Sequence, residues 1–209
     1  MLDFSNSKIL IVGDVMLDKY YFGKVDRISP EAPVPIVNIQ KEESRLGGAS
    51  NVANNIVSLG GHSLLCGVIG HDLFGKEIER ISRHKNIDTF LLKTSSPTIT
   101  KARIIGGKQQ IVRVDYEDKS ELNADNKKLF RDTISRILPE YDILVISDYG
   151  KGLISEDLCR YLIKLAHKYD KKVIIDPKGK NWEKYSGADI VTPNVKELSL
   201  SLIHISEPT

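Results

Sequence analysis

A doubly wound α/β domain, with a mainly parallel sheet and a small β lid, is the fold that this 209-residue chain predicts, on three observations. Short apolar runs bounded by turn residues alternate with longer stretches of helical periodicity, the rhythm of strands joined by crossover helices. Several runs end in an acid or amide at the point where a parallel sheet presents ligand-binding loops. A segment rich in aromatics and prolines, and a later hairpin, break the rhythm and predict a separate small sheet.

Taken in order, Lys8–Val12 lies between Asn6-Ser7 and Gly13 and reads as a fully buried strand. Asp18–Glu43 carries Tyr20, Tyr21 and Phe22, then Pro30, Pro33 and Pro35, with a strand-like Pro35–Gln40. Prolines confine such a segment to sheet edges or loops. Ala49–Leu59 places Val52, Ile56 and Leu59 on one helical face and stops at Gly60-Gly61. Strand Ser63–Ile69, helix Phe74–Lys85 and strand Ile87–Leu92 follow. Thr98–Ile105 and Gln109–Tyr116 flank Gly106-Gly107-Lys108 as a β-hairpin. Paired with the proline-rich segment, it predicts a small antiparallel lid. Helix Asn123–Leu138, strand Ile143–Ser147, helix Ser155–Tyr169, and strands Val173–Asp176 and Asp189–Thr192 complete the alternation.

Composition narrows the function. A net charge of +2 without a dominant basic run argues against a nucleic-acid partner. No apolar run approaches the roughly 18 residues of a membrane span, and Met1–Ser5 lacks the pattern of a secretion signal. Cys66 and Cys159 form no metal or disulfide spacing and read as buried hydrophobes in a reducing, cytoplasmic setting. A Rossmann dehydrogenase is excluded because no G-x-G-x-x-G follows the first strand.

The candidate site begins with Asp14 and Asp18, four apart beyond the first strand, facing Gly47-Gly48-Ala49-Ser50-Asn51 at the start of a helix. The glycines let backbone approach a ligand, Asn51 offers an amide, and the acids accept bonds from hydroxyls. A tight strand-to-helix turn with solvated acids is the alternative. Three later strand ends, at Asp148, Asp176 and Asn194, should converge with Asp14 on one crevice. Each acid could instead cap a helix or form a turn. Lys151 and Lys178 add positive charge suited to an anionic ligand. Asn194 and Glu197, three apart, suit a hydrated Mg²⁺, or equally a capping box.

These segments resemble those of the ribokinase-type (PfkB) sugar kinases. The resemblance runs through Val12–Asp18, Arg27–Pro35, Gly47–Ala53, Pro97–Lys101, Ser147–Gly152, Asp176–Gly179 and Thr192–Asn194 in the family's order, across residues 8 to about 198. The block Arg27-Ile28-Ser29-Pro30-Glu31-Ala32-Pro33-Val34-Pro35 is similar to a narrower group acting on heptose 7-phosphate. The resemblance implies a ribokinase-like fold and ATP-dependent phosphorylation of the anomeric hydroxyl of D-glycero-β-D-manno-heptose 7-phosphate, on the route to ADP-heptose and lipopolysaccharide core. It implies sugar contacts from Asp14, Asp18, Gly47, Gly48 and Asn51, and nucleotide and magnesium contacts around Asn194, Val195, Lys196 and Glu197. It also implies a lid at about 18–43 and 97–117 that mediates a homodimer. Lys101, Arg103 and Arg113 in the hairpin are candidates to grip the 7-phosphate, or else are surface charges on a strand.

The family's late Gly-Ala-Gly-Asp motif, which supplies the catalytic base, is absent from this sequence. General-base catalysis is worth about 10²–10⁴ in rate. The expectation is therefore a C-terminally truncated kinase domain over residues 1–198 with no catalytic residue of its own and no useful turnover. Another sugar-kinase specificity, or a non-catalytic binding or dimerisation module, stays open. Beyond Leu198 the alternation of Leu200 and Leu202 with Ser199 and Ser201 predicts no helix, and 199–209 is expected to be a non-native tail.

Overall fold

A computed structural model describes residues 3–118, 122–180 and 182–203. Six strands form the central sheet, β1 (Lys8–Gly13), β4 (His62–Gly70), β5 (Asp88–Thr94), β8 (Ile143–Ser147), β9 (Lys172–Asp176) and β10 (Ile190–Val191). Their order is β10-β9-β8-β1-β4-β5, and every neighbouring pair is parallel. Helices α1 (Ala49–Ser58) and α2 (Leu73–His84) pack on one face, and α3 (Ala124–Ile137) and α4 (Glu156–Lys168) on the other. The chain winds outward from β1 in both directions, as expected. The apolar run of β1 is continuous because alternate residues serve different cores: Ile9 and Ile11 face α1 and α2, Leu10 and Val12 face α3 and α4.

The helix faces follow their periodicity with one exception. Leu59 lies past the end of α1 and is 66% exposed, while Ala49, Ser50 and Ala53 make the buried stripe. The small residues win that face because the helix packs close to the sheet. Asn123 caps α3 by accepting from the Asn126 N–H, and Ser155 caps α4 from Leu158.

The second sheet has four strands, β2 (Val15–Ile28), β3 (Pro35–Gly48), β6 (Thr100–Gly106) and β7 (Gln109–Tyr116), in the order β3-β2-β6-β7. It is mixed rather than antiparallel: β2 and β6 run parallel, since both leave the central sheet in the same direction. The β2–β3 arm is also far longer than Pro35–Gln40 suggested, fourteen residues on each side. Irregularities between Phe22 and Gly23, and between Val25 and Arg27, bend it. At its base, Asp72 caps α2 through the Gly75 N–H and also accepts from the Thr98 N–H (2.7 Å) and hydroxyl (2.7 Å). Thr98 Oγ1 in turn accepts from the Gly70 N–H at 2.8 Å. This partly buried clasp roots β6 to the core.

Helix α5 spans Val195–Ile203, so the chain is helical where alternation predicted otherwise. The start is fixed by Asn194 and Glu197, and the Ser199 hydroxyl is absorbed by the Val195 and Lys196 carbonyls. Residues 204–209 of the expected tail lie outside the described residues. Among the described residues no helix is long and apolar enough to cross a membrane.

Candidate active site

Where β1 ends, the chain turns at Asp14 into β2, and the end of β3 folds back beside it. Three glycines permit this closeness. A Cβ on Gly13 would meet the Ser147 carbonyl at 2.2 Å, and one on Gly47 would meet Asp18 Oδ2 at 2.5 Å. Gly48 has φ 55° and ψ −136°, a conformation essentially reserved for glycine. No side chain caps α1, whose first N–H, from Ala49, donates to the Asp14 carbonyl at 3.0 Å. Asn51 stands exposed one turn in.

Between this turn and the lid lies a cavity of about 760 Å³. Asp18, Gly47, Gly48, Asn51, Lys101 and Arg103, all expected from sequence, line it together. Tyr20, Arg45, Asn54, Lys85 and Tyr149 line it too and were not anticipated as site residues. Strand alternation was the available signal for Tyr20 and Arg45, which share a lid face with Asp18. Asn54 stands one helical turn from Asn51.

Charge in the cavity is unevenly paired. Arg103 Nη1 donates to Asp18 Oδ1 at 2.6 Å, and Arg45 to Glu43 at 2.7 Å. Lys101 makes no ion pair among the described residues; its ammonium lies over the Tyr149 ring, 5.9 Å from the centroid. Burial, then the neighbouring Lys151, holds the Lys101 pKa below the ordinary lysine value. A half-buried cation with no acid of its own favours an incoming anion. Arg113 is directly across from Arg103 on β7, but both of its donors go to Asp115, at 2.8 and 2.9 Å, and it does not line the cavity.

The four strand ends do gather. Asp14, Asp148, Asp176 and Asn194 follow or end β1, β8, β9 and β10, consecutive parallel strands, on one edge of the sheet. Most are spent on structure. The buried Asp14 carboxylate accepts from the Tyr149 and Lys151 N–H groups at 2.8 and 3.1 Å, and burial pushes its pKa up against that pull. Asp148 is 2% exposed and is held by the Lys184 ammonium, the Tyr185 hydroxyl (2.8 Å) and the Gly150 N–H (2.7 Å). The structure does not offer it to a substrate. Lys151 pairs with Glu117. Asp176 is half-buried, with its pKa raised by burial and by Glu197, and no described group donates to its carboxylate.

Asn194 and Glu197 form the capping-box alternative. Asn194 Oδ1 accepts from the Glu197 N–H at 2.9 Å, and Glu197 Oε2 from the Asn194 N–H at 3.1 Å. Glu197 Oε1 takes the Lys178 ammonium at 3.0 Å. Burial raises the Glu197 pKa, but these donors outweigh it and hold it below the ordinary value. With those oxygens engaged, the pair does not fit magnesium as direct ligands. Nor do three acid, histidine or cysteine side chains gather for a metal elsewhere among the described residues. Val195 and Lys196 are exposed on the first turn of α5. A smaller cavity, about 450 Å³, is lined by Asp14 and Lys151 and reaches Asn123 and Asn126 at the start of α3.

Comparison with known proteins gives this geometry its context. Residues 6–204 match the pfkB family carbohydrate kinase model. The chain belongs to the pfkB family of carbohydrate kinases. Among pfkB relatives, the bifunctional protein HldE of Helicobacter pylori strain P12 is 47% identical over 197 residues, 93% of this chain and 43% of that protein. The D-beta-D-heptose 7-phosphate kinase of Bordetella bronchiseptica is 45% identical over 195 residues, 93% of this chain and 61% of that one. The chain thus spans less than half of the bifunctional relative and under two thirds of the kinase. In fold it is similar to the tetrameric inhibited form of phosphofructokinase-2 from Escherichia coli, with TM-score 0.74, 20% identity, and coverage of 95% of this chain and 64% of that one. A carbohydrate kinase from Agrobacterium tumefaciens gives TM-score 0.69 at 17% identity, covering 93% and 63%.

Proposed function

We propose that this chain is the sugar-phosphate-binding part of an ATP-dependent kinase for D-glycero-β-D-manno-heptose 7-phosphate, whose anomeric hydroxyl receives the γ-phosphoryl group. The reaction would serve ADP-heptose and lipopolysaccharide core synthesis in the cytoplasm. The observation that carries the reading is Lys101, a half-buried cation with no ion pair among the described residues, in one cavity with Asp18 and Asn51. Asp18 and the Asn51 amide suit sugar hydroxyls, and Lys101 with Arg45 and Arg103 suits a phosphate. The names of the similar proteins support the same substrate. ATP would approach from the edge where Asp176 and Lys178 precede α5. Phosphoryl transfer is catalysed chiefly by positioning and charge neutralisation, and this site supplies the positioning. With no Gly-Ala-Gly-Asp in the sequence, no side chain is assigned as base, and the chain binds without turning over. The lid leaves Ile111, Val112 and Val114 exposed, which supports a homodimer formed through it.

Isothermal titration with heptose 7-phosphate and with the free heptose tests the reading. Saturable binding of the phosphorylated sugar, roughly tenfold tighter than the free one, is expected, with no ADP release when ATP is added. Equal affinities would overturn the substrate, and steady ADP release would overturn the inactivity. Light scattering after size exclusion checks the dimer.

A further inference from the structure

Aromatic rings and cations alternate along the cleft face of the lid. Tyr20 on β2 stands directly across from Arg103 on β6, whose guanidinium lies 5.1 Å from the ring centroid. Arg45, diagonal to it on β3, reaches the same ring at 4.8 Å. Phe22 stacks on Tyr20 at 6.1 Å with an interplanar angle of 11° and braces it from the tip side. Both guanidiniums also have acids within reach, Asp18 for Arg103 and Glu43 for Arg45. One ring is therefore shared by two cations from strands that do not pair with each other.

We propose that Tyr20 is the positioning residue that makes the cavity select a phosphorylated over a free sugar, by holding Arg45 and Arg103 at one fixed spacing beside Lys101. The inference rests on the reading of this cavity as a sugar-phosphate site. A guanidinium laid on a ring is pre-organised, so less freedom is lost when its fork meets a phosphate. Without the ring, the long side chains have only their acids to settle against. Arg103 and Arg45 already meet Asp18 and Glu43, and without the ring each keeps only that contact and loses the one that fixes the plane of its guanidinium. The free sugar does not use these guanidiniums and should not register the change.

The full chain is titrated with heptose 7-phosphate and with free heptose as wild type, Tyr20→Leu and Tyr20→Phe. Tyr20→Leu should cut the ratio of the two affinities about tenfold, with free-sugar binding within about twofold of wild type. Tyr20→Phe should keep the ratio, because the ring face rather than the hydroxyl holds the cations. Arg45→Gln, at a largely exposed side chain, should lower the ratio as well, and adding it to Tyr20→Leu should cost less than the sum. A Tyr20→Leu protein with the wild-type ratio, or with both sugars weakened equally, overturns the role of Tyr20 and leaves the sugar-phosphate reading standing. So does a Tyr20→Phe protein that loses the ratio. A wild type without preference for the phosphorylated sugar overturns both.

Discussion

The edge of the central sheet and the cleft face of the lid both carry charged and polar groups but use them differently. At the sheet edge, Asp176 apart, Asp14 is taken by two backbone N–H groups, Asp148 by Lys184, Tyr185 and Gly150, and Asn194 and Glu197 by each other. On the lid, Lys101 makes no ion pair among the described residues, and Arg45 and Arg103 are shared between acids and a ring. A polar residue at a strand end is thus weak evidence for a ligand contact until its bonding is counted. Charge left over after that count is stronger evidence, because a half-buried ion without a partner is costly.

The contrast can be broken by mutation. Asp148→Ala should be the most damaging change, because it removes the one acid that pairs with the part-buried Lys184 ammonium and takes an acceptor from the buried Tyr185 hydroxyl. A loss of roughly 3 kcal/mol is expected in urea unfolding. A near-neutral result would mean that the sheet edge is not structural after all. Gly48→Ala sits where the two regions meet. Its positive φ and the Asp14 carbonyl 2.4 Å from the new Cβ should cost roughly 2 kcal/mol by the same measurement.

Glu197 sharpens the comparison through pH. Its folded pKa lies below the ordinary 4.5, so its stabilising contribution is present above that value and is lost as pH falls through the lowered one. Thermal melts from pH 6 to pH 3 should therefore drop less steeply for Glu197→Gln than for wild type, from a lower starting stability. Parallel curves would remove Glu197 from the acid response. Lys101→Met should show the smallest stability change, within about 0.5 kcal/mol of wild type, while losing the preference for a phosphorylated sugar. A large destabilisation would show that Lys101 is a structural ion like those of the sheet edge.

The central sheet was legible because strands buried on both faces must be apolar throughout, as Ile9–Val12 and Ile143–Ile146 are. The lid was only partly legible. Its strands are largely exposed, charged and bent, so β2 beyond Leu17 and the Lys41–Gly48 half of β3 carry little apolar patterning to announce them, and the parallel pairing of β2 with β6 depends on how the chain leaves the core. Asp18, Gly47, Gly48 and Asn51 were readable as cavity residues from type and spacing, and Lys101 and Arg103 as hairpin cations that the family resemblance placed in the lid. Tyr20, Arg45 and Tyr149 were not, since only strand register and a loop after β8 bring them to the same cavity. The capping box at Asn194 was one of the two readings that its local pattern allowed, whereas the sequestration of Asp148 turns on distant hydrogen-bond partners that no local pattern reveals. Helix α5 escaped because one side-chain pair at its start outweighed poor propensity beyond it.

The clasp of Asp72 on Thr98 has a mechanical consequence. With its root bolted to the first turn of a core helix, β6 cannot swing as a door about that point. Opening then resembles a leaf spring, in which curvature builds along the strands and is greatest toward the bent tip of β2 and β3. Guest molecules would enter past a flexing end while the anchored end keeps its shape, and backbone hydrogens should exchange slowly at Thr98 and fastest at the tip.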